Sequence, residues 1–246
     1  MNKQQKIARD YWDEFSKRNS VALKKNSARD VEWDSIREIF NILPEREKHI
    51  VDFACGTGYH AVRFLEEGFK VTGIDISRLS LEVLAKRADS IKKGDNLTTI
   101  RSDFTKIALP DNFDAGYLIS SYHCLGSDLQ KRQFMLRNMA KMIKKGGKIF
   151  IMEPNPLNPL YLFFYPFVYK NNWREGFNVV NSRIGILEKD LTRSGVKILV
   201  VAHYGFLPAF LINKIKYVKN INYFCSHLPI LKLFSSFNMI LGERTK

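Results

Sequence analysis

The sequence predicts an α/β chain built on a mostly parallel sheet with helices on both faces. Three observations carry this expectation. Short apolar, β-branched runs alternate with helical segments from "KHIVDFA" to "GGKIFIMEP". Glycines close the first run and open the helix after it, in "DFACGTG". The runs read as continuously apolar rather than alternating, as strands buried on both faces do.

The elements follow in order. Residues 1–45 place apolar groups at helical spacing, including Val31, Ile36, Ile39, Phe40 and Leu43, and Pro44 ends that stretch. "KHIVDFA" is the first strand. "YHAVRFLEEG" is a short helix closed by Gly68. "FKVTGIDI" is the second strand, and Ser77 is placed to cap the helix "RLSLEVLAKRADSI". "LTTIRSD" and "FDAGYLIS" are the third and fourth strands. "DLQKRQFMLRNMAKMI" is an amphipathic helix, and "GGKIFIMEP" is a fifth strand entered through a glycine turn.

After Glu153 the rhythm breaks. "PNPLNPLYLFFYPFVYKNNW" holds four prolines and seven aromatics, which suits neither a regular helix nor a central strand. A helix at "SRIGILEKDLTRSG" and a strand at "VKILVVAHYGF" restore the α/β pattern. "LPAFLINKIKYVKNINYFCSHLPILKLF" is apolar and basic, and "FNMILGER" closes as a strand. We therefore expect one domain over 1–246: a helical cap at 1–45, a cofactor-binding core at 46–155, and substrate or lid insertions at 156–182 and 206–235.

Composition limits the function classes. The 246 residues are 45% apolar, enough for a core without staples. The three cysteines, Cys55, Cys124 and Cys225, are scattered, which argues against a structural zinc site or a disulfide framework and suits a reducing compartment. The leading residues lack the apolar stretch of a signal peptide, and no run spans a bilayer. The expected location is cytoplasmic, with membrane association open. A net charge of +14 favours an anionic partner or a lysine-rich solvated surface. Between Asp190 and Glu243 there is no acid, whereas Lys197, Lys214, Lys216, Lys219 and Lys232 lie inside. That pattern suits peripheral contact with an anionic membrane. Nucleic acid is less favoured, because no RNA-binding motif or arginine-rich run accompanies the charge.

The glycine turn alone leaves two cofactor classes open. Gly56, Gly58 and Ala61 satisfy the dinucleotide spacing G-x-G-x-x-A. The backbone N–H groups at a helix start can equally hold an amino-acid carboxylate. Asp75, ending the second strand, can accept both ribose hydroxyls in either class. Asp103 in "RSDFT" can accept from an adenine amine, with Phe104 against the ring.

Taken together, "DFACGTG", Asp75, "DF" after strand three, "FDAGY" on strand four and "KKGG" before strand five resemble the class I S-adenosylmethionine-dependent methyltransferases. Lys145 stands where that family's turn usually has proline. The resemblance covers residues 30–155 well. It implies a Rossmann-like seven-stranded sheet whose last strand is antiparallel, with helical insertions near the substrate. It implies S-adenosylmethionine as cofactor, held by Asp52, Ala54, Cys55, Gly56, Thr57, Gly58, Asp75, Ile76, Asp103, Phe104 and Ile119. His123, just beyond strand four, is the first choice for a general base, and Glu153, leaving strand five, the second. No metal is implied. The aromatic and aliphatic insertions suit a small, apolar or lipid-linked acceptor. An RNA methyltransferase and a nicotinamide-dependent oxidoreductase are the alternatives. Oligomeric state is not legible.

Overall fold

The computed structural model describes residues 49–125, 128–160, 182–206 and 230–245, with Arg9, Asp10, Asp13, Glu14, Trp33, Ile36, Arg37, Phe224 and Leu228. Most of the expected insertions at 156–182 and 206–235 lie outside the described residues, as does most of the 1–45 cap. Those residues of the cap that are described are helical.

In chain order the elements are β1 (His49–Phe53), α1 (Tyr59–Glu66), β2 (Lys70–Asp75), α2 (Arg78–Ser90), β3 (Leu97–Arg101), β4 (Phe113–Ile119), α3 (Leu129–Met142), β5 (Ile143–Pro154), α4 (Ile184–Arg193), β6 (Val196–Tyr204) and β7 (Phe237–Arg244). The sheet order is β3-β2-β1-β4-β5-β7-β6. β1 to β5 pair in parallel, and β7 runs antiparallel to both β5 and β6. The seven-stranded, mixed sheet expected above is thus present. Between β1 and β4 the strand order reverses, and in sheets of this kind ligands bind at the carboxyl edge of that point.

Local signals explain the helix boundaries. Ser77 Oγ accepts the Ser80 backbone N–H at 3.0 Å and caps α2. Asp128 does the same for α3, accepting from Lys131 N at 3.1 Å. α1 ends as Gly68 adopts φ 88° while Phe69 N–H donates to Phe64 O at 3.0 Å.

Strand alternation divides the core in two. Ile50, Phe150 and Met152 face the layer that holds Phe64, Leu65 and Leu84, whereas Val51, Phe53, Ile149 and Ile151 face Met135, Leu136, Leu187 and Leu191. Each such fully buried side chain contributes roughly 1.5–3 kcal/mol of apolar burial. Trp33 of the leading stretch joins the first layer, its ring edge-on to Phe64 at 4.7 Å.

The turn expected before strand five is instead a bulge within it. Phe113 pairs with Ile143, but Ala115 pairs with Lys148, so Lys144–Gly147 loop out against Asp114. Asp114 holds the loop by accepting Lys144 Nζ at 2.7 Å and also takes the His49 N–H at 2.8 Å. A Cβ on Gly147 would meet Asp114 O at 2.7 Å, so only glycine fits.

Candidate functional site

The chain leaves β1 through Ala54, Gly56 and Gly58, all at positive φ. Cys55 N–H donates to Ile74 O at 3.1 Å, which ties this turn to β2. The two glycines serve different ends. A Cβ on Gly58 would sit 2.2 Å from Leu84 Cδ1, so this glycine lets α2 approach the turn. A Cβ on Gly56 would meet nothing within 4 Å, so space is open above it. Of the two, Gly56 is the one whose backbone faces open space. Behind the turn, Arg87 of α2 donates from Nη1 to Thr57 O at 2.7 Å and to Thr57 Oγ1 at 3.0 Å.

Asp75 fastens the turn from the side. Its Oδ2 accepts Gly56 N–H and its Oδ1 accepts Ser77 N–H, each at 2.8 Å. Burial raises its pKa. The amides of Ser77, Gly56 and Ile76 pull against that shift, and the Asp13 charge adds to it. Asp13 comes from the leading stretch and accepts a hydrogen bond from Ser77 Oγ. Asp52, buried in the first layer, is pushed well above the usual carboxylate range by desolvation. The Tyr117 hydroxyl partly offsets this, and the Asp75 charge reinforces it. The turn is therefore flanked by two buried acids, and the Asp75 charge disfavours ionisation of Asp52.

Along the same carboxyl edge, Asp103 follows β3. Its Oδ1 accepts Thr105 N–H at 3.0 Å and Thr105 Oγ1–H at 2.6 Å, and its Oδ2 lies 4.0 Å from Lys106 Nζ. Phe104 packs into the second layer, its ring centroid 6.4 Å from that of Phe53. Half-buried Ile76 follows the second strand, and half-buried Ile119 ends the fourth.

After β4 the chain enters a short 3-10 turn, Tyr122–Leu125. Glu153, fully buried at the end of β5, binds its start. Oε1 accepts the N–H groups of Ser121 and Tyr122 at 2.7 Å, and Oε2 accepts His123 N–H at 3.3 Å and lies 2.7 Å from His123 Nδ1. Burial lowers the His123 pKa, but the Glu153 charge, the Cys124 sulfur and their hydrogen bonds outweigh it, leaving it well above 6.5. The two candidate base residues thus form one pair. The turn is held from its other side as well. Tyr122 OH donates to Asp190 Oδ2 at 2.5 Å, and Arg132 Nε reaches the same oxygen at 2.9 Å.

Arg87, Asp13, Arg132 and Asp190 were not singled out from the sequence. For two of them a signal exists. Arg87 follows Leu84 by three residues and Arg132 precedes Met135 by three, which puts each charge on its helix's buried face. His203 Nδ1 lies 3.1 Å from Asn238 Oδ1 across β6 and β7. Among the described residues no group of three or more His, Cys, Asp or Glu could hold a metal ion.

At the opposite edge of the sheet, where α3 and α4 end, a cleft of about 600 Å³ is lined by Arg137, Lys141, Arg193, Lys197 and Arg244. It is separate from the constellation above.

A family model described as a methyltransferase domain matches residues 50–147. A cypemycin N-terminal methyltransferase from a Streptomyces species is 26% identical over 107 residues, covering 44% of this chain and 42% of that protein. A ubiquinone biosynthesis O-methyltransferase of Vibrio cholerae is 30% identical over 118 residues, covering 47% of this chain and 46% of that protein. The chain spans less than half the length of these curated relatives. Among solved structures, geranyl diphosphate C-methyltransferase from Streptomyces coelicolor A3(2), in complex with Mg2+, geranyl diphosphate and S-adenosyl-L-homocysteine, superposes with a TM-score of 0.66 at 13% identity, covering 99% of both chains. An S-adenosylmethionine-dependent methyltransferase from Mesorhizobium loti gives 0.60 at 20% identity, covering 87% of this chain and 98% of that one. At these identities the likeness is one of fold.

Proposed function

We propose, from the chain's membership of the class I S-adenosylmethionine-dependent methyltransferase family, that it binds S-adenosylmethionine at the carboxyl edge and methylates a small apolar or lipid-linked acceptor. The observation that carries this reading is the pair of buried acids at the glycine turn. A pyrophosphate would add negative charge beside Asp52 and Asp75, whose ionisation burial already disfavours. A sulfonium and an ammonium would relieve both. The open space over Gly56 suits the methionine portion, Asp75 the ribose, and Asp103 with Phe104 the adenine.

When bound, S-adenosylmethionine supplies a methyl group already activated by its sulfonium. The chain's share is to position the acceptor, exclude water and take a proton if the acceptor must lose one. His123 is the residue we propose takes that proton. Its neutral ring accepts it, so the step is favoured above the raised pKa of the His123–Glu153 pair. Glu153, with both oxygens engaged, acts by positioning His123 and raising its basicity.

One comparison supports an apolar acceptor: a relative is named for ubiquinone biosynthesis. The basic cleft favours an anionic partner such as RNA, but it lies at the other edge. Titration calorimetry against S-adenosylmethionine and against NAD tests the reading. Binding of the first alone supports it, and binding of NAD alone overturns it. Mass spectrometry of ligand retained through purification would name the acceptor class.

A further inference from the structure

The basic cleft is built by the last turns of α3 and α4 with the start of β6 and the end of β7. Strand alternation decides which charges face it. Lys197 pairs with Glu243, and Glu243 with Lys148, so these three share one sheet face. Val196 pairs with Arg244 on the other face, the one that α3 and α4 cover. The charge of Lys197 is therefore turned away, toward Glu243. Arg137, Lys141, Arg193 and Arg244 remain. Arg244, with only 14% of its side chain exposed, donates from Nη1 to Lys141 O at 3.1 Å and to Ile143 O, and lies 3.5 Å from Asp111 Oδ2. Arg137 donates from Nε to Gln133 O of its own helix at 3.2 Å. Among the described residues no carboxylate pairs with Arg137, Lys141 or Arg193.

Cations near helix C-termini ordinarily complement the carbonyls left over there. Here those carbonyls are already met. Arg244 takes Lys141 O and Ile143 O at the end of α3. At the end of α4, Ser194 N–H donates to Leu191 O at 2.9 Å and Gly195 N–H to Thr192 O at 3.2 Å, while Ser194 Oγ donates to Asp190 O at 2.7 Å. Arg137 and Lys141 stand one turn apart on α3, and like charges so placed repel. Cations gathered around one hollow cost stability, and an anion set among them removes that cost. We propose that this cleft is a second ligand site, separate from the cofactor edge, which takes a small soluble molecule carrying two or more phosphate groups. Its volume of about 600 Å³ lies within the ~300–1,000 Å³ of small-molecule sites. The guanidinium forks of Arg137 and Arg193 suit paired phosphate oxygens, and Lys141 a single one. Single-stranded RNA shares the charge, but its bases need aromatic side chains to stack on, and among the described residues none lines the cleft. Bound phosphates would tie α3 to α4. The site does not depend on the function proposed above.

Titration calorimetry of the full chain at low salt tests the proposal, with tripolyphosphate as the probe. Tripolyphosphate should bind at a single site, more tightly than inorganic phosphate, and should raise the melting temperature. The double variant Arg137→Gln, Arg193→Gln should bind it ~tenfold more weakly or worse, with unchanged far-ultraviolet circular dichroism. Lys141→Gln should repeat the loss if the double variant misfolds. Lys131→Gln, exposed at the far end of α3, should bind as the wild type does. Absence of tripolyphosphate binding overturns the proposal, and so does wild-type affinity in the cleft variants. An equal loss in Lys131→Gln overturns it too, since diffuse surface charge would then be the cause. It also fails if RNA oligonucleotides bind through Arg137 and Arg193 while tripolyphosphate does not. Tripolyphosphate binding by a chain that fails to bind S-adenosylmethionine would overturn the proposed function and leave the cleft site standing.

Discussion

His123 Nδ1 lies 2.7 Å from Glu153 Oε2, while the other oxygen of that carboxylate accepts the N–H groups of Ser121 and Tyr122. One buried acid therefore fixes both the path of the turn and the charge of its histidine. The raised His123 pKa gives a stability contribution fully present below its ordinary 6.5 and lost as the pH rises through the folded-state value. His123→Gln should cost roughly 3 kcal/mol at about pH 6 and progressively less toward about pH 10. Urea unfolding at the two pH values checks this. An equal cost at both would remove the ion pair.

Glu153→Gln should lower the His123 pKa, because the opposing charge goes while the burial stays. Proton NMR titration of the ring reads this without an acceptor. If His123 is the base, the acid limb of the pH–rate profile moves down with it. A ring pKa that does not move would dissociate the two residues.

The two turn glycines should separate in experiment. Gly58→Ala drives a Cβ into Leu84 at φ 74° and should destabilise the fold by about 1–3 kcal/mol. Gly56→Ala, also at positive φ but with open space above, should cost about 1 kcal/mol of stability. It should weaken S-adenosylmethionine disproportionately. Thermal melts paired with calorimetry distinguish the two. Equal losses of affinity and stability at both sites would mean that Gly56 only shapes the turn.

Arg87→Met should keep α2 packed while freeing the Thr57 carbonyl and hydroxyl. Loss of these charge-assisted bonds should cost about 1.5–3 kcal/mol, with S-adenosylmethionine affinity falling as the turn loosens. Arg87→Lys restoring affinity would support the positioning role. Full affinity in Arg87→Met would end it.

Asp190 tests burial against surface charge. Asp190→Ala takes the carboxylate from buried Arg132 and the acceptor from the Tyr122 hydroxyl, and should cost about 3–5 kcal/mol. The exposed Arg78–Glu82 pair at 3.1 Å should cost under about 1 kcal/mol when broken by Arg78→Ala. Denaturant midpoints decide between them, and comparable costs would contradict the account.

Much of the fold was legible because its signals are local. The Ser77 cap bonds three residues ahead, and Gly68 ends α1 by its own φ. Asp75 and Asp103 could be named because one ends and the other closely follows a strand. The strand-five turn was legible only in part. Its glycines were seen, but the bulge depends on Asp114 from the strand beside it.

By itself, the sequence determined the order of strands and helices, the antiparallel closing strand through its family likeness, and the edge at which the candidate residues gather. Tertiary structure alone decided what each side chain does there. Arg87 meets Thr57 across 30 positions, His123 meets Glu153 across 30, and Tyr122 meets Asp190 across 68. A buried charge is stable only with its partner, and those partners come from other elements of the sheet and its covering helices. Local propensity reaches about one helical turn, so pairings at these separations exist only once the layers have packed.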